Sequence, residues 1–293
     1  AQAALAQVVS GSCLPSSRPC CCSCKMPSAV TAAVEIVGAP TFTLREFFGN
    51  VATKDGTLSA VHEKVTAKMS MPWRCPTFAE YIYVITGEVH VEHNAGKVVV
   101  KAGCGVHLPA GCRVQVSIPE MAEFGAICLP AFSPDKEHPE GEGAPPAHAH
   151  ATATAPTLSE AIDVVKAPDL TITEFFGNVA SKDPNLSACV AKVVNPCADA
   201  WQTPEFAEWV LVLEGTLHIE HAEGVTKVPA GSGVFLAANE RVKWVWPEPC
   251  TYVPICMPAF TPVGCHRESE EGSAKDQDPA TMATLEELHA KSK

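Results

Sequence analysis

Two glutamates stand at matching places in a stretch that occurs twice: Glu80 in AEYIYVITGEVHVEH, from Ala79 to His93, and Glu208 in AEWVLVLEGTLHIEH, from Ala207 to His221. The copies align without a gap at an offset of 128 residues (208 − 80). Each acid is followed by six residues rich in β-branched and aromatic types, a glycine, then alternating apolar and polar residues, which predicts a hairpin with one buried face. Side chains alternate along a strand, so Glu80 shares a face with Ile82 and Val84, and Glu208 with Val210 and Val212. If that face lines a core, the carboxyls enter it too, and an inward acid is costly unless paired. Such a group could bind a ligand or exchange protons, its pKa raised by desolvation. Equally, it could be a relict carboxylate held by backbone or by a nearby arginine.

The histidines offer weaker chemistry. His90 and His218 share a strand face with Glu92 and Glu220, opposite Val89, Val91, Leu217 and Ile219, so they are expected to point away from the apolar core. His93 and His221 precede the next turn, and His107 is replaced by Phe235 in the second copy. His138 and His266 recur after PAFSP and PAFTP, where a polar residue could fold back over a barrel mouth. No serine-nucleophile, phosphate-loop or dinucleotide spacing is present, and AGSGVF (Ala230 to Phe235) is the nearest approach.

These residues need elements to position them. Walking the repeat outward pairs Ala33 with Ala161 and Glu140 with Glu268, and so predicts two domains, 33–140 and 161–268. Many short segments rich in Val and Ile, cut by Gly, Pro and Asn, with no long 3.6-residue pattern, predict an all-β fold. Residues 141–160, rich in Pro, Gly, Ala, His and acids, are expected to cross between the domains as flexible coil, with His148 and His150 solvated. The tail, 269–293, is charged and ends in ATLEELHAKSK, which would suit a short surface helix.

The first 32 residues lack acids, carry Arg18 and Lys25 as their only charges, and resemble a transit peptide, which implies a plastid or cytoplasmic protein. They are expected not to pack on either domain. Five of the 14 cysteines (Cys13, Cys20, Cys21, Cys22 and Cys24) crowd there without zinc-ligand spacing, and the others read as buried thiols. The formal net charge of −12 argues against nucleic acid or an anionic membrane as the main partner, and no apolar run reaches the ~18 residues of a transmembrane helix.

The pattern E-x6-G followed by G-x5-P-x-G resembles the two signature motifs of the cupin superfamily, small jelly-roll barrels of antiparallel strands. The first copy has Glu80, Gly87, Gly103, Pro109 and Gly111; the second keeps Glu208, Gly215 and Gly231 but has Ala237 and Asn239 in place of the Pro and the last Gly. The resemblance implies a bicupin, two tandem jelly-roll barrels. Metal-dependent cupins draw ligands from H-x-H shortly before the glutamate and from a histidine after P-x-G. Here those places hold Trp73, Arg74, Cys75 and Pro76 in one copy, Trp201, Gln202, Thr203 and Pro204 in the other, and Val114 and Val242 at the third histidine. One carboxylate cannot complete a three- or four-ligand sphere, so no metal cofactor is expected. Cupins without such ligands include sugar-nucleotide epimerases, seed storage proteins and binding modules.

The residues therefore imply a metal-poor bicupin that binds a small polar ligand or serves a structural or storage role. Candidate lining residues are Glu80, Glu208, Trp73, Trp201, Val114 and Val242, and copies could associate through sheet faces. The competing reading is an isomerase, lyase or oxygenase acting on a small acid or sugar through Glu80 or Glu208, with a noncanonical metal or a histidine. Strand parity also turns Trp244 and Trp246 the same way as Val242, where the first copy has Val116 and Ile118. The second barrel is thus expected to be the more tightly filled, with any cavity near Glu80. Alternatively the two indoles line an aromatic pocket for a sugar ring or an apolar ligand.

Overall fold

A computed structural model describes residues 29–141, 154–268 and 279–291. Residues 1–28 of the transit-like leader, the His148 and His150 pair, and residues 269–278 lie outside the described residues. The fold is all-β. The first copy comprises β1 (Val30–Ala32), β2 (Val34–Ala39), β3 (Phe42–Phe48), β4 (Ser59–Val65) and β5 (Met69–Ser70). It continues with β6 (Ala79–His93), β7 (Gly96–Lys101), β8 (Cys104–Leu108), β9 (Val114–Ile118) and β10 (Ala122–Leu129). The second comprises β11 (Thr157–Glu160), β12 (Ile162–Lys166), β13 (Leu170–Phe176), β14 (Ser187–Val193), β15 (Cys197–Ala198) and β16 (Ala207–Glu214). It ends with β17 (Thr216–His221), β18 (Gly224–Pro229), β19 (Ser232–Leu236), β20 (Lys243–Trp246) and β21 (Cys250–Met257), before helix α1 (Pro279–Ala290).

The repeated stretch is not the expected hairpin. In the first copy β6 runs unbroken through Gly87, and in the second β16 and β17 do not pair: β16 lies between β19 and β21, β17 between β18 and β20. The glycine is a bend that passes the chain from one wall of the barrel to the other. Gly87 and Gly215 have φ of 75° and 73°, where a side chain is strained, and a Cβ on either would collide with the carbonyl of Met121 or Pro249. Buried Ile82, Val84, Val89, Val91, Val114, Val116 and Phe124 fill the first barrel; their counterparts Val210, Val212, Leu217, Ile219, Val242, Trp244 and Tyr252, with Trp246, fill the second.

The barrels pack against each other and exchange their first strands. β1 pairs antiparallel with β19 of the second barrel, Val30 opposite Val234, and β11 pairs with β8 of the first, Leu158 opposite Val106. Two expectations are corrected here. Residues 30–32 of the leader do dock, on the second barrel, and the last four residues of the predicted coil, 157–160, form a strand of the first. Residues before a core run are held when a neighbouring sheet offers them an unpaired edge, and each barrel offers one to the other's arm.

Between the barrels lies a shared apolar cluster that includes Phe47, Phe48, Tyr81 and Tyr83 from one side and Phe175, Phe176, Trp209 and Leu211 from the other. Phe176 lies on Gly105, where a Cβ would come within 2.6 Å of its ring, and Phe48 lies on Gly233 in the reciprocal contact at 2.7 Å. The repeated FFGN segments thus have a physical role, since their paired phenylalanines form the seam. Helix α1 sits on β12 with Leu285 buried against Val164 and Val179, so the tail's helix is packed rather than merely superficial. No helix among the described residues is long and apolar enough to cross a membrane.

Candidate functional site

In the first barrel the inward acid is paired. Arg74 exchanges backbone hydrogen bonds of 2.9 Å with Val114 in both directions, and this pins its side chain inside the barrel. Its Nη2 then donates to Oε2 of Glu80 at 2.6 Å, with both side chains almost fully buried. Burying two ions costs several kcal/mol each, and the short charge-assisted bond offsets much of that. Glu63, on β4, enters the same interior on the face of Val65. Burial first, and then the Glu80 charge, push its carboxyl up to about 8, so it holds its proton at neutral pH. Glu137 approaches from the segment after β10; burial raises it against the pull of Arg74. The interior therefore contains one guanidinium, one carboxylate balanced by it, and a proton-bearing Glu63.

The second barrel keeps the acid and loses the base. Gln202 stands where Arg74 does and Ala191 where Glu63 does. Glu208 is buried, 6% exposed, and its Oε1 has only the Cys256 thiol at 3.7 Å as a donor. Its Oε2 has no hydrogen-bond partner among the described residues. Burial pushes this carboxyl up to about 7, against the smaller pull of the thiol contact and Arg267. Arg267 itself is engaged by Asp199 at 3.3 Å. Below Glu208 the two indoles point inward as parity predicts: Trp244 and Trp246 are each 4% exposed, packed on one another and on Tyr252 with centroids 5.7–6.1 Å apart. Neither indole N–H has a partner among the described residues.

The predicted lining residues separate into two groups. Glu80 with Val114, and Glu208 with Val242, do share barrel interiors. Trp73 and Trp201 do not join them. Each lies half-buried under an arginine, Arg113 at 4.1 Å and Arg241 at 4.0 Å, and each arginine is fixed bidentately by Glu140 or Glu268. These Trp–Arg–Glu stacks clamp the end of each repeat over its barrel.

Among the described residues, four of the histidines are engaged outside both interiors. His90 pairs with Glu88 at 2.8 Å, His221 with Thr226 at 2.9 Å, and exposed His266 with Glu205 at 2.7 Å. His107 stacks on Tyr81 with centroids 4.4 Å apart at the inter-barrel seam. Arg74, Glu63, Cys256 and Tyr252 were not singled out as site residues from the sequence. Strand parity marks Glu63, two residues from Val65, as the one that could have been found.

A catalytic metal of the usual cupin kind does not fit these residues. In the first barrel a guanidinium already lies 2.6 Å from the inward acid Glu80, so a divalent ion there would meet a fixed positive charge. In the second, Glu208 has a thiol and indoles for neighbours, and no group of three or more His, Cys, Asp or Glu among the described residues is arranged to hold a metal.

The family model described as ethanolamine utilisation protein EutQ matches residues 58–133, a stretch of the first barrel that carries Glu63, Arg74 and Glu80. No curated protein sequence matches the chain. Among solved structures, oxalate decarboxylase from Bacillus subtilis is similar with a TM-score of 0.58 at 13% identity, over 83% of this chain and 78% of that one. The 7S globulin of Momordica charantia is similar with a TM-score of 0.59 at 10% identity, over 78% of this chain and 83% of that one. Identities this low speak to fold and not to activity. With its ungapped duplication, its signature glycines and its pair of jelly-roll barrels, the chain has the bicupin fold, two tandem barrels of the cupin type.

Proposed function

We propose that this bicupin binds a small polar molecule without a metal, and that the interior of the second barrel is the binding compartment. One observation carries the reading. Both barrels hold buried polar atoms without partners among the described residues, Glu63 Oε2 and Arg74 Nε in the first, but the first pairs its inward acid Glu80 with Arg74, whereas in the second Glu208 Oε2 itself is unpartnered together with the N–H groups of Trp244 and Trp246. Buried polar groups are nearly always hydrogen-bonded, so three in one interior are a recognition surface in search of its complement. The reading differs from the expectation drawn from residue volumes, which put any cavity near Glu80.

Labelling the protein with 5-fluorotryptophan gives a direct test, because Trp73 and Trp201 report the barrel rims while Trp244 and Trp246 report the second interior. Small-molecule extracts should shift the Trp244 and Trp246 resonances. Shifts confined to Trp73 would relocate the site to the first barrel, and an unresponsive protein would favour the structural or storage role. Elemental analysis of the same preparation should find no stoichiometric transition metal.

An enzymatic reading has one specific observation in its favour. A carboxyl pushed up to about 7 beside the Cys256 thiol is suited to general acid–base work at neutral pH. Oxalate decarboxylase is an enzyme of the same fold acting on a small acid, but at 13% identity its likeness to this chain speaks to fold alone. Turnover of a bound acid or sugar that is abolished by Glu208→Gln would support this second reading over simple binding.

A further inference from the structure

We propose that the second barrel is a site for a small monocarboxylic acid, with the indole N–H groups of Trp244 and Trp246 donating to its oxygens and Glu208 Oε2 hydrogen-bonded to it through a shared proton. The proposal rests on the reading of that barrel as the binding compartment, and it specifies what binds there.

Four features select this class. First, an indole N–H can only donate, so the ligand must present acceptors to two of them. Second, the ring faces of Trp244 and Trp246 are already covered by each other and by Tyr252, which leaves edges and not stacking platforms. A sugar that stacks on an aromatic face therefore has no place to lie. Third, the interior is crowded, since Trp244, Trp246, Tyr252 and Val242 are each at most 4% exposed, and this restricts the ligand to a few heavy atoms. Fourth, the Arg267 charge is balanced by Asp199, which takes its Nε and Nη2 and leaves only Nη1 without a partner among the described residues, so no cation in excess stands ready to balance a dianion. A single negative charge can enter if Glu208 meets it as a carboxylic acid.

The groups around Glu208 allow that protonation. Cys256 and Cys265 have their thiols pushed up, Cys256 well beyond its usual range and Cys265 to about 12, and Tyr252 is raised as well, all primarily by burial. They stay neutral across the physiological range. The remaining charges are the mutually paired Asp199 and Arg267. Glu208, pushed up to about 7, is the group of this set that changes charge near neutrality. Binding a carboxylate should then hold one proton on the pair, as two carboxyl groups sharing a site do.

Calorimetric titration of the full chain with propionate and with its neutral isostere propionamide, between pH 5.5 and 8.5, tests the idea, with indole fluorescence as a second readout. Propionate should bind saturably and propionamide at least tenfold more weakly. The propionate Kd should rise about tenfold per pH unit above pH ~7, as the protonated form of Glu208 is titrated away. Trp244→Phe and Trp246→Phe, which keep the ring and remove the donor, should each weaken binding several-fold. Glu208→Gln, which retains a donor but cannot titrate, should keep binding at pH 6 and flatten the pH profile.

Equal, pH-independent binding of propionamide would overturn the carboxylic-acid class while leaving the second barrel as the compartment. Propionate binding that neither Trp→Phe variant changes would overturn both the class and the compartment. No saturable response to either probe would overturn the class, and the fluorotryptophan experiment would then decide separately whether anything binds in this barrel.

Discussion

The two barrels descend from one sequence pattern yet solve the inward glutamate in opposite ways. At Glu80 the segment between β5 and β6 supplies Arg74, and the interior holds a balanced ion pair with a neutral Glu63 beside it. At Glu208 the arginine position is Gln202, and the acid is left with a thiol, a raised pKa and an unpaired oxygen. A buried charge needs either a fixed partner or a proton. The first barrel supplies the partner, and the second leaves the acid to a raised pKa, so the proposed binding compartment is the one whose acid has no charged partner.

The largest effect should come from breaking the partnered side. Arg74→Ala leaves Glu80 buried and uncompensated and should cost about 3–5 kcal/mol in denaturant unfolding, whereas Gln202→Ala in the second barrel should cost about 1 kcal/mol or less. Replacing both members of the pair, as Arg74→Met with Glu80→Met, should recover most of the loss. A cost for Arg74→Ala no greater than that of Gln202→Ala would remove the distinction between the barrels.

Glu208→Gln should act in the opposite direction and depend on pH. The folded-state pKa of about 7 lies above the ordinary 4.5, so the folded protein holds the proton more tightly than the unfolded chain. The wild-type protein therefore loses stability as pH rises from about 4.5 to 7, and carries the full penalty above 7. That penalty is about 3 kcal/mol for a shift of this size. The variant should be more stable than wild type by up to about that amount at pH 8 and nearly equal to it at pH 4. A Tm difference that does not change with pH would mean that Glu208 is not held protonated.

Helix α1 marks a second difference between the copies. It covers Val179, which is 3% exposed, while the equivalent Val51 is 38% exposed. Truncation after Glu268 should cost about 2 kcal/mol, the burial of a leucine-sized side chain, and the loss should fall on the second barrel. Hydrogen exchange of β12 should quicken while that of β2 stays unchanged; equal changes in both would show the helix serving the whole molecule. The smallest effect is expected at the seam. Tyr81 donates to Asp183 across it at 2.9 Å, and Tyr81→Phe should lower stability by about 1 kcal/mol without altering either interior.

Much of this architecture is legible in the chain. An ungapped repeat of alternating apolar residues specifies two like barrels, because period-two burial leaves a strand few alternatives. Parity alone turns Trp244 and Trp246 inward. Local pattern could not show that Gly87 is a bend within one strand and not the turn of a hairpin, since both need a positive φ at that residue. Nor could it show that β1 and β11 each pair with the other barrel, because in a duplicated sequence the two equivalent edges accept the same arm.

Fold class, duplication, the inward direction of Glu80 and Glu208, and the absence of the histidine ligands all follow from residue order and spacing. What those acids meet depends on strands distant in the chain. Arg74 precedes Glu80 by six residues with two prolines of the segment nearby, Pro72 and Pro76, and nothing in that spacing says that its guanidinium turns into the barrel. The backbone pairing with Val114, forty residues away, sets that direction. Pairing of charges is a long-range property of packed strands, whereas the alternation that places each charge on a face is local.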